Sequence, residues 1–167
     1  MEEQKKLRQE DAAMLDKKIL KYGITGNKKF EIKVFEPFNN LALGFISDFS
    51  KELRKVKKIN TYPELIYLIF WCGKKSFLLK NVSNKFLRLG RGLVFHICPS
   101  NVPTNFVYSF FFGLLSGNSN IVKIPTKDFK EKNIIMSVVK SLFNRTKYKV
   151  LRDSNCFIEY RDSDEIT

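Results

Sequence analysis

Apolar residues in this chain recur with two different periods, and the switches between them outline its elements. From Asn40 to Lys58, Leu41, Phe45, Ile46, Phe49, Leu53 and Val56 fall at helical spacing with Lys and Arg between them, predicting an amphipathic helix. Thr61 as N-cap, Pro63 in the first turn and Glu64 three positions on open a second helix. That helix is apolar nearly all round from Leu65 to Trp71, as a buried helix would be, and ends near Gly73. Leu93 to Ile97 reads as a short buried strand stopped by Pro99, which cannot donate a ladder hydrogen bond. Ser100, Asn101, Val102 and Pro103 make a turn, Thr104 is placed as an N-cap, and Asn105 to Leu115 forms an apolar helix. Gly117 and Asn118 suit its end, and Asn120 to Ile124 is a second buried strand closed by Pro125.

Strand, helix and strand in about 30 residues have the size of a parallel βαβ unit. A further amphipathic helix follows over Phe129 to Phe143, with Ile134, Ile135, Val138, Val139 and Leu142 inward, and then a strand at Cys156 to Tyr160. The alternation predicts an α/β fold with a doubly wound sheet. At the other end, residues 2–21 read as a charged helix with a thin apolar face of Ala13, Leu15, Ile19 and Leu20, stopped by Gly23 and Gly26. Phe30, Ile32, Val34 and Phe35 alternate around Glu31 and Lys33 as a short strand near an edge, closed by Pro37.

Composition narrows the class of protein more than its chemistry. The 167 residues are 44% hydrophobic with sixteen Phe, enough for a single core and against disorder despite 28% charged residues. A formal charge of +13 favours anionic partners, and its clusters, Lys5 to Arg8, Arg54 to Lys58, Lys74 to Lys75 and Lys127 to Lys132, sit on segments where solvated faces are the ordinary reading. Neither sheet-face aromatics beside basic groups nor a recognisable nucleic-acid module is legible, so a small basic nucleic-acid-binding protein ranks last among the alternatives. Cys72, Cys98 and Cys156 show no metal-like or disulfide spacing, in keeping with a reducing cytoplasm. The longest apolar run, Phe106 to Leu115, is too short to span a bilayer. Gly90 and Gly92 precede their strand, whereas phosphate-loop glycines follow theirs.

Candidate chemistry gathers where the two strands of the βαβ unit end. Parallel strands bring Asn101 and the run Lys123 to Lys127 to one sheet edge, and in open α/β sheets ligands bind outside the strands' carboxyl ends. The Asn101 amide offers donors to a carbonyl oxygen on which negative charge develops. Lys123, Thr126 and Lys127 offer two cations and a hydroxyl, a fit for phosphate or ribose. Each residue alone has an ordinary structural reason: Asn for a turn, Lys for a solvated strand end. His96, the only histidine, reads as a packed strand residue, and Cys98 and Cys156 as core cysteines.

The stretch GLVFHICPSNVPTNFVYSFFFGLLSGNSNIVKIPTK, residues 92–127, closely resembles the LuxC-type long-chain fatty acyl-CoA reductases of bacterial bioluminescence, within the aldehyde dehydrogenase superfamily. The segments NLALGFISDFSKELRK, TYPELIYLIFWCGKKSF and FIEYRDSDEIT extend the resemblance over roughly residues 30–167. It implies an incomplete, Rossmann-like cofactor-binding domain of aldehyde dehydrogenase type over residues 76–167, preceded by a helical and edge-strand region over 1–75, with the cysteine-bearing catalytic domain absent. It implies that a fatty acyl-CoA is reduced to the aldehyde with NADPH through an acyl-cysteine.

By the same resemblance Asn101, in the Pro-Ser-Asn-Val-Pro turn that corresponds to the superfamily's Pro-Trp-Asn-Phe-Pro, helps to hold the thioester or hemithioacetal oxygen. Ile97, Cys98, Pro99 and Ser100 would line the nicotinamide-ribose side of the cleft. Lys123 would touch the adenosine ribose, and Thr126 stands where NAD-preferring members place a Glu. A neutral hydroxyl there, flanked by Lys123 and Lys127, implies NADPH. Because the family's nucleophilic cysteine lies beyond the matching stretch, the chain is expected to be inactive alone. It would be a non-catalytic remnant, or one half of a split enzyme completed by a C-terminal half or by fatty-acid-reductase partner subunits.

Overall fold

The computed structural model describes residues 13–14, 23–26, 30–73 and 88–160. They form a mixed α/β fold whose elements are β1 (Gly23–Thr25), α1 (Asn40–Arg54), α2 (Pro63–Cys72), β2 (Leu93–Ile97), α3 (Asn105–Leu115), β3 (Ser119–Lys123), α4 (Lys130–Phe143), α5 (Lys149–Ser154) and β4 (Asn155–Ile158). The sheet has four strands in the order β1, β4, β3, β2. β2, β3 and β4 run parallel, and β1 is antiparallel to β4. β2 and α3 keep the bounds that the apolar pattern predicts, and β3 starts one residue earlier.

Side-chain alternation divides the sheet into two unequal faces. Val122 and Phe157 point to the side that carries α1 to α5, where they join Phe45, Phe49, Phe106, Phe110, Phe111 and Phe143 in the main core. Phe110 meets Phe157 edge to face with centroids 4.8 Å apart, and Phe45 meets Phe143 at 5.4 Å. Ile121, Cys156, Ile158 and Tyr160 form a small cluster on the other side, with Phe30 and Leu93 against it. β2 is the outer parallel strand, so it is not the buried strand that its sequence suggests: Phe95 and Ile97 remain 42% and 59% exposed.

Several local readings change in the fold. The alternating segment from Phe30 to Phe35 is extended but joins no ladder. Instead it straps the amino ends of the parallel strands, with Glu31 N donating to Asp153 O (2.8 Å) before β4 and Lys33 N to Ser119 Oγ (2.7 Å) at the start of β3. Ser119 Oγ donates back to Lys33 O (2.8 Å), Phe35 N donates to Gly117 O (2.9 Å), and Gly90 N to Phe35 O (3.0 Å). Gly117, at φ +79°, lets the two chains touch, because a Cβ there would strike the Phe35 carbonyl. Gly23, expected to stop a helix, belongs to β1; of that helix over 2–21 only 13–14 lie within the described residues, both helical.

α1 ends at Arg54, short of Lys58, which adopts the left-handed region at φ 58°. Its start is capped by Asn39, whose Oδ1 accepts from Ala42 N (3.0 Å). α2 is capped at Tyr62 rather than Thr61, whose hydroxyl turns back to donate to Lys58 O (2.8 Å). Nor is α2 buried all round: Leu65, Leu68, Ile69 and Cys72 face the core while Tyr67 and Phe70 are 70% and 66% exposed.

An unanticipated polar chain crosses the parallel strands inside the helix-covered face. Asn120 of β3, fully buried, donates to Asn118 O (2.8 Å) and to Asn155 Oδ1 (2.7 Å) on β4, and its own Oδ1 lies 2.9 Å from His96 Nε2 on β2. Since both amide protons of Asn120 are used, its oxygen must accept, which assigns the proton to His96 Nε2. His96 Nδ1 then accepts from Ser109 Oγ (2.7 Å) on α3. Asn155 Nδ2 completes the set by donating to Leu151 O (2.7 Å). Gly113 makes room, because a Cβ there would clash with Asn120 Oδ1 and sit 2.9 Å from His96 Nε2. Gly113→Ala gains about 1 kcal/mol of helix propensity but breaks this packing. A net loss of about 2–4 kcal/mol in urea unfolding is expected, and an unchanged midpoint would refute the close fit.

Candidate functional site

The parallel register sets the site before any side chain is considered. Ile97 pairs with Lys123, so β2 and β3 end level and release their chains on the same edge of the sheet. From β2 the chain runs through Cys98 to Pro103 into α3. From β3 it runs through Ile124 to Lys127 towards α4. Ile97, Pro99, Ser100, Asn101, Thr126 and Lys127 are exposed there, and Cys98 and Lys123 are half-buried. The residues proposed from sequence therefore do gather on one edge. Asn101 reaches solvent from the turn, while Thr104 occupies the N-cap position of α3 without a side-chain capping bond.

The cations at this edge rest on rings. Lys123 Nζ lies 4.3 Å from the Tyr160 centroid and Lys127 Nζ 5.0 Å from that of Phe129. Residues 97–104 and 123–127 contain two ammonium groups and no carboxylate. Asp128, next along the chain, is engaged by Asn133 Nδ2 (3.0 Å). Beneath the edge lies a cation that the sequence reading passed over: Lys132, on the third residue of α4, is 6% exposed. Its ammonium donates to Pro125 O (3.0 Å) and pairs with Glu159 Oε1 at 3.3 Å. The signal was present in the periodicity, since Lys132 lies on the inward stripe with Ile135, Met136 and Val139.

The cysteines differ from one another. Cys72 and Cys156 are buried, and burial pushes each thiol up to about 12, which leaves no thiolate at neutral pH. Cys98, expected in the core, is only half-buried because it follows the outer strand, and its thiol faces Asn105 O at 3.8 Å. Among the described residues no group of His, Cys, Asp and Glu could hold a metal, and no helix is long and apolar enough to cross a membrane.

These features define an α/β protein whose candidate site is the basic, hydroxyl-bearing edge where its parallel strands end. The sequence pattern of the acyl-CoA reductase (LuxC) family matches residues 75–161, just over half of the chain, and spans this whole edge; the chain belongs to that family. No curated protein matches it, and no solved structure does.

His96 stands beside the site without exposure to it. Burial lowers its pKa below the ordinary 6.5, opposed by the hydrogen bond to Asn120. The folded state thus holds it neutral while the unfolded chain protonates at about 6.5. Below that pH the unfolded state binds more protons, so stability is full above about 6.5 and declines as pH falls, by at most about 1.4 kcal/mol per unit. Urea unfolding from pH 8 to pH 5 should show this slope in the wild type and lose it in His96→Gln; an identical slope in the variant would assign it to other groups.

Proposed function

We propose that this chain forms the cofactor side of an acyl-CoA reductase that converts long-chain fatty acyl-CoA to fatty aldehyde with NADPH. One observation carries the reading: within the family-matched region, the Asn101 turn and the Lys123 to Lys127 run leave adjacent parallel strands at the same level. In this reading the domain is the first part of a doubly wound, Rossmann-like sheet of aldehyde dehydrogenase type. The chemistry of the edge suits NADPH, because a 2′-phosphate meets Thr126, Lys123 and Lys127 with no carboxylate among them. Bound there, NADPH supplies the hydride that reduces the acyl group. Ile97, Cys98, Pro99 and Ser100 would line the nicotinamide-ribose side. Asn101 donates its amide to the thioester oxygen, an interaction of the kind worth about 3–4 kcal/mol to the barrier.

The acyl-accepting thiol is the part these cysteines do not provide. Two are buried and protonated, and Cys98 turns its thiol to a backbone carbonyl. We infer that a C-terminal half or a partner subunit brings it. The 167-residue chain mixed with tetradecanoyl-CoA and NADPH should therefore release no aldehyde; steady NADPH-dependent release would overturn the division of labour. For the cofactor, Thr126→Glu sets a carboxylate against the 2′-phosphate. Titration should show NADPH binding weakened about tenfold or more, equivalent to ~1.4 kcal/mol, with NADH unchanged or tighter. Equal affinities in wild type and variant would remove Thr126 from the ribose site.

A further inference from the structure

We infer that Lys132 is a positioning residue that presents the backbone N–H of Thr126 to an anionic ligand at the end of β3. Its placement runs against local preference. A cation in the first turn of a helix opposes the helix dipole, and a side chain only 8% exposed gives up its hydration. What holds it there is tertiary: Pro125 O, just past β3, at 3.0 Å and Glu159 Oε1, just past β4, at 3.3 Å. The ammonium thus ties together the chain ends that leave the two strands.

The consequence for Thr126 follows from peptide geometry. The bond between Pro125 and Thr126 is trans, and in a planar trans peptide the carbonyl and the following N–H point in opposite directions. Drawing the Pro125 carbonyl inward to Lys132 turns the Thr126 N–H away from the protein. That N–H meets no acceptor among the described residues, and Thr126 is exposed. Thr126 accordingly offers a fixed amide beside its hydroxyl, with the Lys127 ammonium next along the chain. This donor set suits a phosphate oxygen better than a bare lysine does, because its direction is set before the ligand arrives. The inference rests on the nucleotide reading above for the identity of the ligand, the adenosine 2′-phosphate end of NADPH.

The test is an amide NMR titration of the full chain with adenosine 2′-monophosphate. The Thr126 amide should move downfield on binding. In Lys132→Met that movement should disappear and affinity fall about tenfold, while Lys132→Arg, which keeps a charged donor for Pro125 O, should retain both. Loss of stability alone would leave the ligand-induced movement of the Thr126 amide intact in any folded variant. If the nucleotide moves the Lys123 and Lys127 resonances but not the Thr126 amide, the inference is overturned while the nucleotide site stands. The same holds if folded Lys132→Met behaves as wild type. If no resonance of this edge responds in the wild type, the nucleotide reading falls and the role of Lys132 falls with it. Should Lys132→Met not fold, the wild-type Thr126 amide and the Lys132→Arg titration decide the matter.

Discussion

The structure turns on one buried amide. Asn120, fully enclosed at the second residue of β3, reaches Asn155 on β4 and His96 on β2 and so joins all three parallel strands from within the core. An amide buried without partners would cost a few kcal/mol, but here each donor and acceptor is met. The three strands cannot slip past one another without leaving at least one of these groups unpaired. Register is what the site depends on, for it is register that brings Ile97 level with Lys123 and releases two loops on a common edge. Gly113 belongs to the same constraint, since only a residue without Cβ lets α3 pass over the Asn120 amide.

The two ends of the parallel strands are treated differently. At the amino ends, the strap from Glu31 to Phe35 takes up backbone groups of Asp153, Gly117 and Gly90 and the Ser119 hydroxyl, and fills that side. At the carboxyl ends, the loops carry exposed Ser100, Asn101, Thr126 and Lys127, and Lys132 reaches them from beneath. One end is therefore sealed by main chain while the other presents side chains to solvent. The match to the acyl-CoA reductase (LuxC) family runs across both loops of that open edge.

Elements set by local pattern were legible in the residues. β2, α3 and the inward stripe of α4 follow from a run of apolar residues punctuated by Pro99, Pro103, Gly117 and Pro125. Elements whose character depends on a neighbour were not. Phe30 to Phe35 alternates like a strand, yet its N–H groups found the carbonyls of Asp153, at the end of α5, and Gly117, just past α3, and a serine hydroxyl instead of a ladder. α2 is apolar on every side, and composition alone could not reveal that Tyr67 and Phe70 would stay exposed. The candidate site was readable through Asn101, Thr126 and Lys127 because their residue types advertise chemistry. Lys132 sat on the inward stripe of α4 but inside a basic cluster, and the burial of its charge is decided by what surrounds it.

The sequence by itself determined the strand, helix and strand of the central unit, the two loops that leave it and the family to which it belongs, because period, punctuation and motif are all local. Only the tertiary structure decided the rest: that β2 lies at the outer edge, that three polar side chains bind the sheet from inside, and that Lys132 is drawn under Pro125. Those outcomes depend on which groups remain to satisfy one another once water is excluded, and the deciding partners, Glu159 for Lys132 and His96 and Asn155 for Asn120, lie far apart in the sequence.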